Sequence, residues 1–378
     1  MIDSGWRYHN PVEVFCGPGR IKDLGRIVGK RKALLITTPG FARRGVTDSM
    51  KTILGDSWVD VFNGVQRNPT FESVREAYAI ASSRDLDVIV ALGGGSAIDT
   101  AKATAAMLTA NEAGWLSEHL KAGRDFPEPF HPKPIMAIPT TAGSGSEVTM
   151  WATIWDVETK RKLSISHPSL YPKQAILDPE LTLTLPRQET IYSGLDALSH
   201  AMESIWNKNH NPVSDIFAVK AIDLVFNYLP LVKDNLKDLH LRSKLIKASL
   251  LAGLAFSNTK TALAHSISYP LTAHFDLPHG LACSLPLVEL MHLNGSKQFD
   301  RVKIMARALG VDEGLEPMLE SLRRLFEGVG VSLRLGDYGV GLKEVEMISH
   351  SAVTPGRADN NIVDINKKEL VALLERLV

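Results

Sequence analysis

The chain has 378 residues, of which 44% are hydrophobic and 22% charged, and its 42 basic residues balance 42 acidic ones. A chain of this length exceeds one ordinary hydrophobic core, so we expect two domains, and the composition excludes a disordered or fibrous protein. Because the formal charge is zero, no overall field would hold a nucleic acid or an anionic membrane surface, and we expect neither partner.

The same simple features predict a cytoplasmic protein. The two cysteines, Cys16 and Cys283, belong to no CxxC pair, which argues against a disulfide framework. The first residues lack a basic segment followed by an apolar one, and no later stretch has the apolar length that crosses a bilayer. We therefore expect a cytoplasmic protein without a membrane-spanning segment.

The first half of the chain alternates short β-rich runs with helical patterns. Strands are predicted at residues 32–38, 58–65, 87–92 and 134–139, with a helix at 71–84. This alternation predicts parallel βαβ units. Two more β-rich runs within residues 149–166 flank a polar stretch and predict a hairpin on the same domain.

The second half of the chain has a helical pattern, because Leu, Ala, Lys and Glu recur at helical spacing from about Arg187 onward. We expect a boundary near Pro186. Residues 1–187 would form an α/β, Rossmann-like nucleotide-binding domain with a parallel sheet. Residues 188–378 would form an all-α domain that binds the metal and the substrate.

Two glycine-rich segments follow apolar runs of the first domain. In VIVALGGGSAIDTAK, Gly94 and Gly95 lead into a helix that begins near Ser96. Adjacent glycines and a helix N-terminus offer free N–H groups to a pyrophosphate, although a tight turn without a ligand is the alternative. IPTTAGSGSEVT adds three hydroxyl groups, those of Thr140, Thr141 and Ser144. Both segments end strands of one predicted parallel sheet, where α/β proteins bind nucleotides.

A third group of residues has the composition of a metal site. In SGLDALSHAMES, Asp196 and His200 are four residues apart, which places both side chains on one face of a helix. Downstream, ALAHSISYPLTAHFDLPHG supplies His265 and His279. One carboxylate and three imidazoles suit a borderline divalent ion such as Fe(II) or Zn(II). Each histidine taken singly is also typical of a structural residue.

Together these segments resemble the iron-containing (group III) alcohol dehydrogenases over nearly the whole chain. The matching pieces are RNPT, GGGSAIDTAK, IPTTAGSGSEVT, AILDPELTLTLP, GLDALSHAMES and HSISYPLTAHFDLPHG. The resemblance implies the dehydroquinate synthase-like fold, a homodimer, and Fe(II), with Zn(II) as the alternative. It implies four metal ligands, Asp196, His200, His265 and His279. It also implies cofactor contacts from Asn68, Gly94, Gly95, Ser96, Thr140, Thr141, Ser144 and Lys162.

One position departs from the pattern of that family. Many members carry a second histidine, a proton relay, four residues after the one that matches His265, and this chain has Tyr269 there. If the stretch is helical, the Tyr269 hydroxyl lies one turn after His265 and can face the substrate. A packed aromatic side chain is the alternative, since the reference pKa of tyrosine is about 10.

The last residue of the first predicted strand bears on the choice of nicotinamide cofactor. NAD-selective dehydrogenases usually place an acidic residue after the second strand of the fold, and here the corresponding residue is Thr38. A neutral residue does not repel a 2′-phosphate, and Arg43 or Arg44 can pair with one if the loop folds back, although both can be exposed charges. We expect NADPH, with NADH as the alternative.

The segment SNTKTALAHSISYPLTAHF resembles a narrower branch, the phosphonoacetaldehyde reductases, which form 2-hydroxyethylphosphonate. An anionic aldehyde needs cationic partners, and Lys260 and Arg357 are the candidates, although both can be surface charges. We expect NAD(P)H-linked reduction of such an aldehyde to a primary alcohol. The alternatives are a short-chain or lactaldehyde-type alcohol dehydrogenase, a glycerol dehydrogenase or dehydroquinate synthase type, and a catalytically silent nucleotide-binding protein.

Overall fold

The computed structural model describes residues 5–353 and 356–378, which form two compact units. The α/β unit comprises residues 10–141 and 146–182. The helical unit comprises Ala142–Gly145, Leu183–Val378 and the described N-terminal residues up to His9. Each unit is therefore built from more than one stretch of chain. The assignment of nucleotide binding to residues 1–187 and of metal binding to residues 188–378 stays a prediction.

A six-stranded parallel sheet forms the centre of the α/β unit. The strands of this unit are β1 (Glu13–Cys16), β2 (Ala33–Thr37), β3 (Trp58–Phe62), β4 (Val88–Gly93), β5 (Ile135–Pro139), β6 (Trp151–Asp156), β7 (Arg161–Ser166) and β8 (Gln174–Leu177). The sheet has the order β1-β8-β5-β4-β2-β3, and β6 pairs with β7 in a separate antiparallel hairpin. Its register aligns Leu35 with Val90 and Ala91 with Ala137.

Helices cover both faces of this sheet, which explains why β2, β4 and β5 are buried throughout and largely apolar. The helices are α1 (Leu24–Val28), α2 (Pro39–Arg43), α3 (Val46–Leu54), α4 (Phe71–Ser82), α5 (Gly95–Ala110) and α6 (Trp115–Ala122). Leu34 and Ile36 belong to a core with residues of α4 and α5, whereas Leu35 belongs to another with residues of α1 and α3. Successive residues of β2 thus pack against helices on opposite faces of the sheet.

The predicted elements of the first half are largely confirmed. The predicted strands correspond to β2, β3, β4 and β5, the predicted helix to α4, and the predicted hairpin to β6 and β7. The main difference in length is β3, which ends at Phe62 rather than at Val65. Strands β1 and β8 were not predicted, because each has only four residues and shows no readable periodicity.

The helical unit is built around one continuous apolar core. Its helices are α7 (Arg187–Ile205), α8 (Pro212–Val232), α9 (Leu239–Thr259), α10 (Leu263–Phe275), α11 (His279–Ser284), α12 (Leu287–Lys297), α13 (Phe299–Val302), α14 (Leu315–Val329), α15 (Leu342–Ala352) and α16 (Lys367–Glu375). The fold class, a parallel α/β part followed by a helical part, is confirmed. None of the helices in the described part of the chain has the length and apolar character needed to cross a membrane.

A fully buried lysine fastens the second glycine-rich segment to α5. The Nζ of Lys102 donates to the carbonyl oxygens of Ser146 at 2.7 Å and Trp151 at 2.9 Å. One turn earlier on α5, Asp99 accepts from the Ser146 hydroxyl at 2.6 Å and the Thr153 amide at 2.9 Å. Burial lowers the pKa of Lys102 to about 8, although Asp99 counteracts it. This polar cluster holds the segment in place after it leaves β5.

Candidate metal centre and nucleotide loop

One face of α7 carries three buried titratable side chains. Asp196, His200 and Glu203 follow one another at i, i+4 and i+7, and they are 7%, 5% and 0% exposed. Polar groups are costly to bury unless they are hydrogen-bonded or bind an ion. Glu203 was not predicted as a site residue, although its spacing from Asp196 was a usable signal.

Two later helices bring further histidines to this face. His265 lies in α10 and His279 is the first residue of α11. A Cβ atom on Gly280 would lie 2.0 Å from the carbonyl oxygen of Tyr192 and 3.0 Å from the Cβ of Asp196. Only glycine allows this approach of α11 to α7, and the approach brings His279 close to Asp196.

The donor atoms have the spacing of ligands around one ion. Asp196 Oδ1 lies 3.7 Å from His265 Nε2 and 3.8 Å from His200 Nδ1. Metal–ligand bonds of about 2.0–2.1 Å in a tetrahedron give edges of roughly 3.4 Å, only a few tenths shorter. All three atoms are buried, and none has a hydrogen-bond partner among the described residues. The donor set therefore fits a divalent ion.

Glu203 fixes the orientation of His265. Its carboxylate accepts the backbone N–H groups of Ala262 at 3.0 Å, Ala264 at 2.6 Å and His265 at 3.2 Å. The same carboxylate lies 2.6 Å from His265 Nδ1. Because an ionised carboxylate only accepts, Nδ1 carries the donated proton, and the other ring nitrogen, Nε2, lies on the side of Asp196. A carboxylate in this position commonly orients a metal-binding histidine.

The charges of the α7 face suit a cation. Burial acts to raise the pKa of Asp196, but the three histidines around it hold that pKa well below its usual range. Burial lowers the pKa of His200 to about 4, so its imidazole is neutral at neutral pH. His265 differs, because Cys283 and Glu203 outweigh burial and raise its pKa well above the usual value. An ion at His265 would therefore displace a proton.

Two side chains outside the predicted ligand set lie at the same place. The Phe256 ring, from α9, stacks on His200 with centroids 4.0 Å apart and planes 9° apart. Cys283 lies one turn after His279 on α11, and its Sγ is 3.5 Å from His279 Nδ1. The ligand atoms of Asp196, His265, His279 and Cys283 all lie within 4.8 Å of one another. The four-residue spacing of His279 and Cys283 was the signal in the sequence.

Two of the three predicted catalytic and substrate-binding residues lie together. Tyr269 follows His265 by one turn of α10, and the Arg357 guanidinium lies 4.9 Å from the centroid of its ring. Both side chains are half-buried. Lys260 is the residue after α9; it has a left-handed φ of 65° and is exposed. The structure thus pairs Arg357 with Tyr269 and leaves Lys260 at the surface of the helical unit.

In the α/β unit, the glycine-rich turn after β4 lies where the strand order reverses. The chain goes from β2 outward to β3, and then from β4 in the opposite direction to β5. Open parallel sheets bind ligands at such a point, beyond the carboxyl ends of the strands. Gly93 has φ 156°, and a Cβ there would lie 2.7 Å from that of Ala97 and 3.7 Å from Thr38 Cγ2. Thr38 and the glycine turn are therefore neighbours.

The other predicted cofactor residues lie at the start of α5 and at several places elsewhere in the two units. Gly94 precedes α5 and Gly95 begins it, and no side chain caps this N-terminus, so its N–H groups can bind an anion. Ser96, Thr141, Asn68 and Lys162 are half-buried, and Thr140 is buried with its amide bonded to Gly93 at 3.0 Å. Ser144 belongs to the helical unit. Their roles as cofactor contacts stay predictions, as do those of the four metal ligands.

Comparison with known proteins adds an independent finding. Residues 11–179 match the iron-containing alcohol dehydrogenase family, and residues 190–378 match the C-terminal domain of the Fe-containing alcohol dehydrogenases. The chain belongs to the iron-containing alcohol dehydrogenase family. It is therefore an oxidoreductase that acts on alcohols or aldehydes, and members of its family use NAD(P) and a divalent metal.

Similar proteins differ in cofactor and substrate. An NAD-dependent methanol dehydrogenase of Bacillus methanolicus is 32% identical, over 90% of this chain and 92% of its own. An NADPH-dependent butanol dehydrogenase of Clostridium saccharobutylicum is 28% identical, over 98% and 97%. The crystal structure of sulfoacetaldehyde reductase from Bifidobacterium kashiwanohense with NAD+ superposes with a TM-score of 0.92, at 31% identity over 99% of both chains.

The contact between Glu203 and His265 leads to a prediction about metal affinity. In Glu203→Gln an amide nitrogen, which cannot accept a hydrogen bond, replaces one oxygen of the carboxylate that now accepts from the surrounding N–H groups. We expect the dehydrogenase to bind Zn(II) about 10- to 100-fold more weakly, as measured by competition with a chromophoric chelator. Glu189→Gln, at an exposed position of the same helix, is the matched control. Equal zinc affinity in both variants would show that Glu203 does not support the metal centre.

Proposed function

We propose that this dehydrogenase reduces a short aldehyde that carries an anionic group, and specifically phosphonoacetaldehyde to 2-hydroxyethylphosphonate. The supporting observation is the Arg357 guanidinium, which lies over the Tyr269 ring one helical turn beyond His265. An aromatic ring attracts a cation to its face and restrains it there, while the N–H groups at the guanidinium edge can still bind an anion. A cation is thus held close to the proposed metal ligands.

The comparison with the sulfoacetaldehyde reductase supports an anionic aldehyde. The substrate in that protein's name joins an aldehyde to a sulfonate, which is tetrahedral and anionic like a phosphonate. A general short-chain alcohol dehydrogenase is the second candidate, because similar proteins are named for methanol and butanol and because Lys260 is exposed. A cytoplasmic location and a homodimer complete the proposal, and light scattering would test the latter.

The proposed reaction divides the work among residues of the two units. When bound, a divalent ion polarises the aldehyde oxygen and NADPH supplies the hydride. Glu203 orients His265 so that Nε2 lies on the side of Asp196, and the amides at the start of α5 bind the pyrophosphate. The product alcohol oxygen needs one proton, from Tyr269 Oη, a ribose hydroxyl or water. The ion is held by the four predicted ligands, Asp196, His200, His265 and His279.

The surroundings of Thr38 support NADPH over NADH. Thr38 is a neutral residue beside the glycine turn, so it does not repel a 2′-phosphate. Arg43 is exposed, and the Arg44 guanidinium lies 4.7 Å from the centroid of the Phe41 ring, at the same end of the sheet. Two cations near the adenosine ribose would attract the additional phosphate of NADPH.

Changing Thr38 should therefore alter cofactor preference. In Thr38→Asp the carboxylate repels the 2′-phosphate and can accept from a ribose hydroxyl. We expect the ratio of kcat/KM for NADPH to that for NADH to fall on the order of tenfold or more, since a charge-assisted contact is worth about 1.5 kcal/mol or more. Thr52→Asp adds the same charge at an exposed position of the same unit. An unchanged ratio, or a wild-type enzyme that prefers NADH, would contradict the assignment.

The role of Arg357 is tested with one substitution and two substrates. Arg357→Met keeps much of the side-chain bulk but removes the charge. We expect kcat/KM for phosphonoacetaldehyde to fall by roughly one to two decades, because one charge-assisted contact contributes about 1.5–3 kcal/mol. An uncharged aldehyde of similar size should be reduced at nearly the wild-type rate. Arg323→Met, at an exposed position of α14, is the matched control.

Two results of this experiment would contradict the proposed role of Arg357. Equal losses on both aldehydes would mean that Arg357 supports the fold or the cofactor rather than the anion. No loss on either aldehyde would remove Arg357 from the substrate site and favour the second candidate, a general short-chain alcohol dehydrogenase.

A further inference from the structure

Cys283 is a fully buried cysteine whose sulfur lies among the candidate ligand atoms. It stands four residues after His279 on α11, so both side chains lie on one face of that helix. Its Sγ is 3.5 Å from Nδ1 and 3.6 Å from Nε2 of the His279 ring. Across the same space, Asp196 Oδ1 and His265 Nε2 are buried and have no hydrogen-bond partner among the described residues.

We propose that Cys283 is a protein ligand of the metal ion, bound through its thiolate sulfur, and that the centre consequently favours zinc over iron. This inference rests on the proposed function, because it concerns the ion that the reaction requires. It adds a fifth donor side chain to the four predicted ligands. Zinc accommodates four or five donors, so one of the five protein donors would have to be displaced when the aldehyde oxygen binds.

The distances agree with such a bond. A tetrahedral ion with a metal–nitrogen bond of about 2.0 Å and a metal–sulfur bond of about 2.3 Å separates the two donor atoms by roughly 3.6 Å. The observed separations of Sγ from the ring nitrogens of His279 are 3.5 and 3.6 Å. The side chains therefore reach a common ion without a change in the backbone of α11.

The charges and the chemistry of the donors point to the same ion. Asp196 and a Cys283 thiolate together carry two negative charges, which neutralise a divalent ion in a buried site. Thiolate is a soft ligand that selects zinc, whereas carboxylate and imidazole alone discriminate less between zinc and iron. As the sulfur–metal bond forms, the thiol proton passes to solvent, and no electron is transferred.

Cobalt(II) is a suitable probe, because its bond to a thiolate gives an intense near-ultraviolet band that nitrogen and oxygen ligands do not give. The metal-free full chain is loaded with one equivalent of Co(II), and bound metal is measured separately by elemental analysis. We expect the band in the wild-type chain and in Cys16→Ser, the matched control that alters the other cysteine. We expect its loss in Cys283→Ser and in Cys283→Ala, with Zn(II) affinity reduced on the order of tenfold or more and Fe(II) affinity changed less.

Each alternative outcome has a definite meaning. A wild-type chain that binds one Co(II) without the band, or a band that survives in both Cys283 variants, would overturn the inference while leaving the proposed function intact. A wild-type chain that binds no Co(II) would overturn both. Thermal unfolding of the two Cys283 variants identifies a folding defect, and the wild-type spectrum decides the question even if both variants fail to fold.

Discussion

The buried polar face of α7 is the constraint on which the organisation of the helical unit depends. Each carboxylate that is removed from water costs several kcal/mol unless other groups replace its hydration. Glu203 is compensated, because three backbone N–H groups and the His265 ring donate to it. Asp196 Oδ1 has no such donor among the described residues, and imidazole nitrogens lie 3.7 and 3.8 Å from it. A cation is the partner that satisfies the carboxylate and the imidazoles together.

Much of the proposed chemistry follows from the position of α10. Its first turn presents backbone N–H groups to Glu203, and this contact sets the side of the His265 ring that faces Asp196. One turn later the same helix carries Tyr269, on whose ring the Arg357 guanidinium is stacked. The positions of a predicted metal ligand, of the candidate proton donor and of the cation proposed for an anionic substrate thus all depend on one helix. In the α/β unit, the N-terminus of α5 after the glycine turn has no side-chain cap and is the predicted binding place of the pyrophosphate.

Local patterns predicted a large part of this structure, because periodicity and glycine turns are properties of neighbouring residues. The buried strands, the hairpin and the helical spacing of Asp196 and His200 were readable for that reason. Glu203 and His265 are 62 residues apart in the sequence. No local pattern therefore shows that α10 packs against Glu203, the third buried titratable residue of α7. Local patterns also do not predict exposure. Lys260 and Arg357 are equivalent cations in the sequence, but in the fold Lys260 is exposed and Arg357 stacks on the ring of Tyr269. The four-residue spacing of Cys283 from His279 is a local pattern, and it places both side chains on one face of α11.

The most direct test of the metal centre is the metal content of Asp196→Ala, measured together with NADPH binding and aldehyde-dependent NADPH oxidation. We expect the wild-type chain to hold one divalent ion and to turn over. The variant should lose both the ion and turnover and still bind NADPH with nearly unchanged affinity, because the ligands of the ion and the glycine turn belong to different units. Full metal content and wild-type turnover in Asp196→Ala would contradict the assignment of the metal centre.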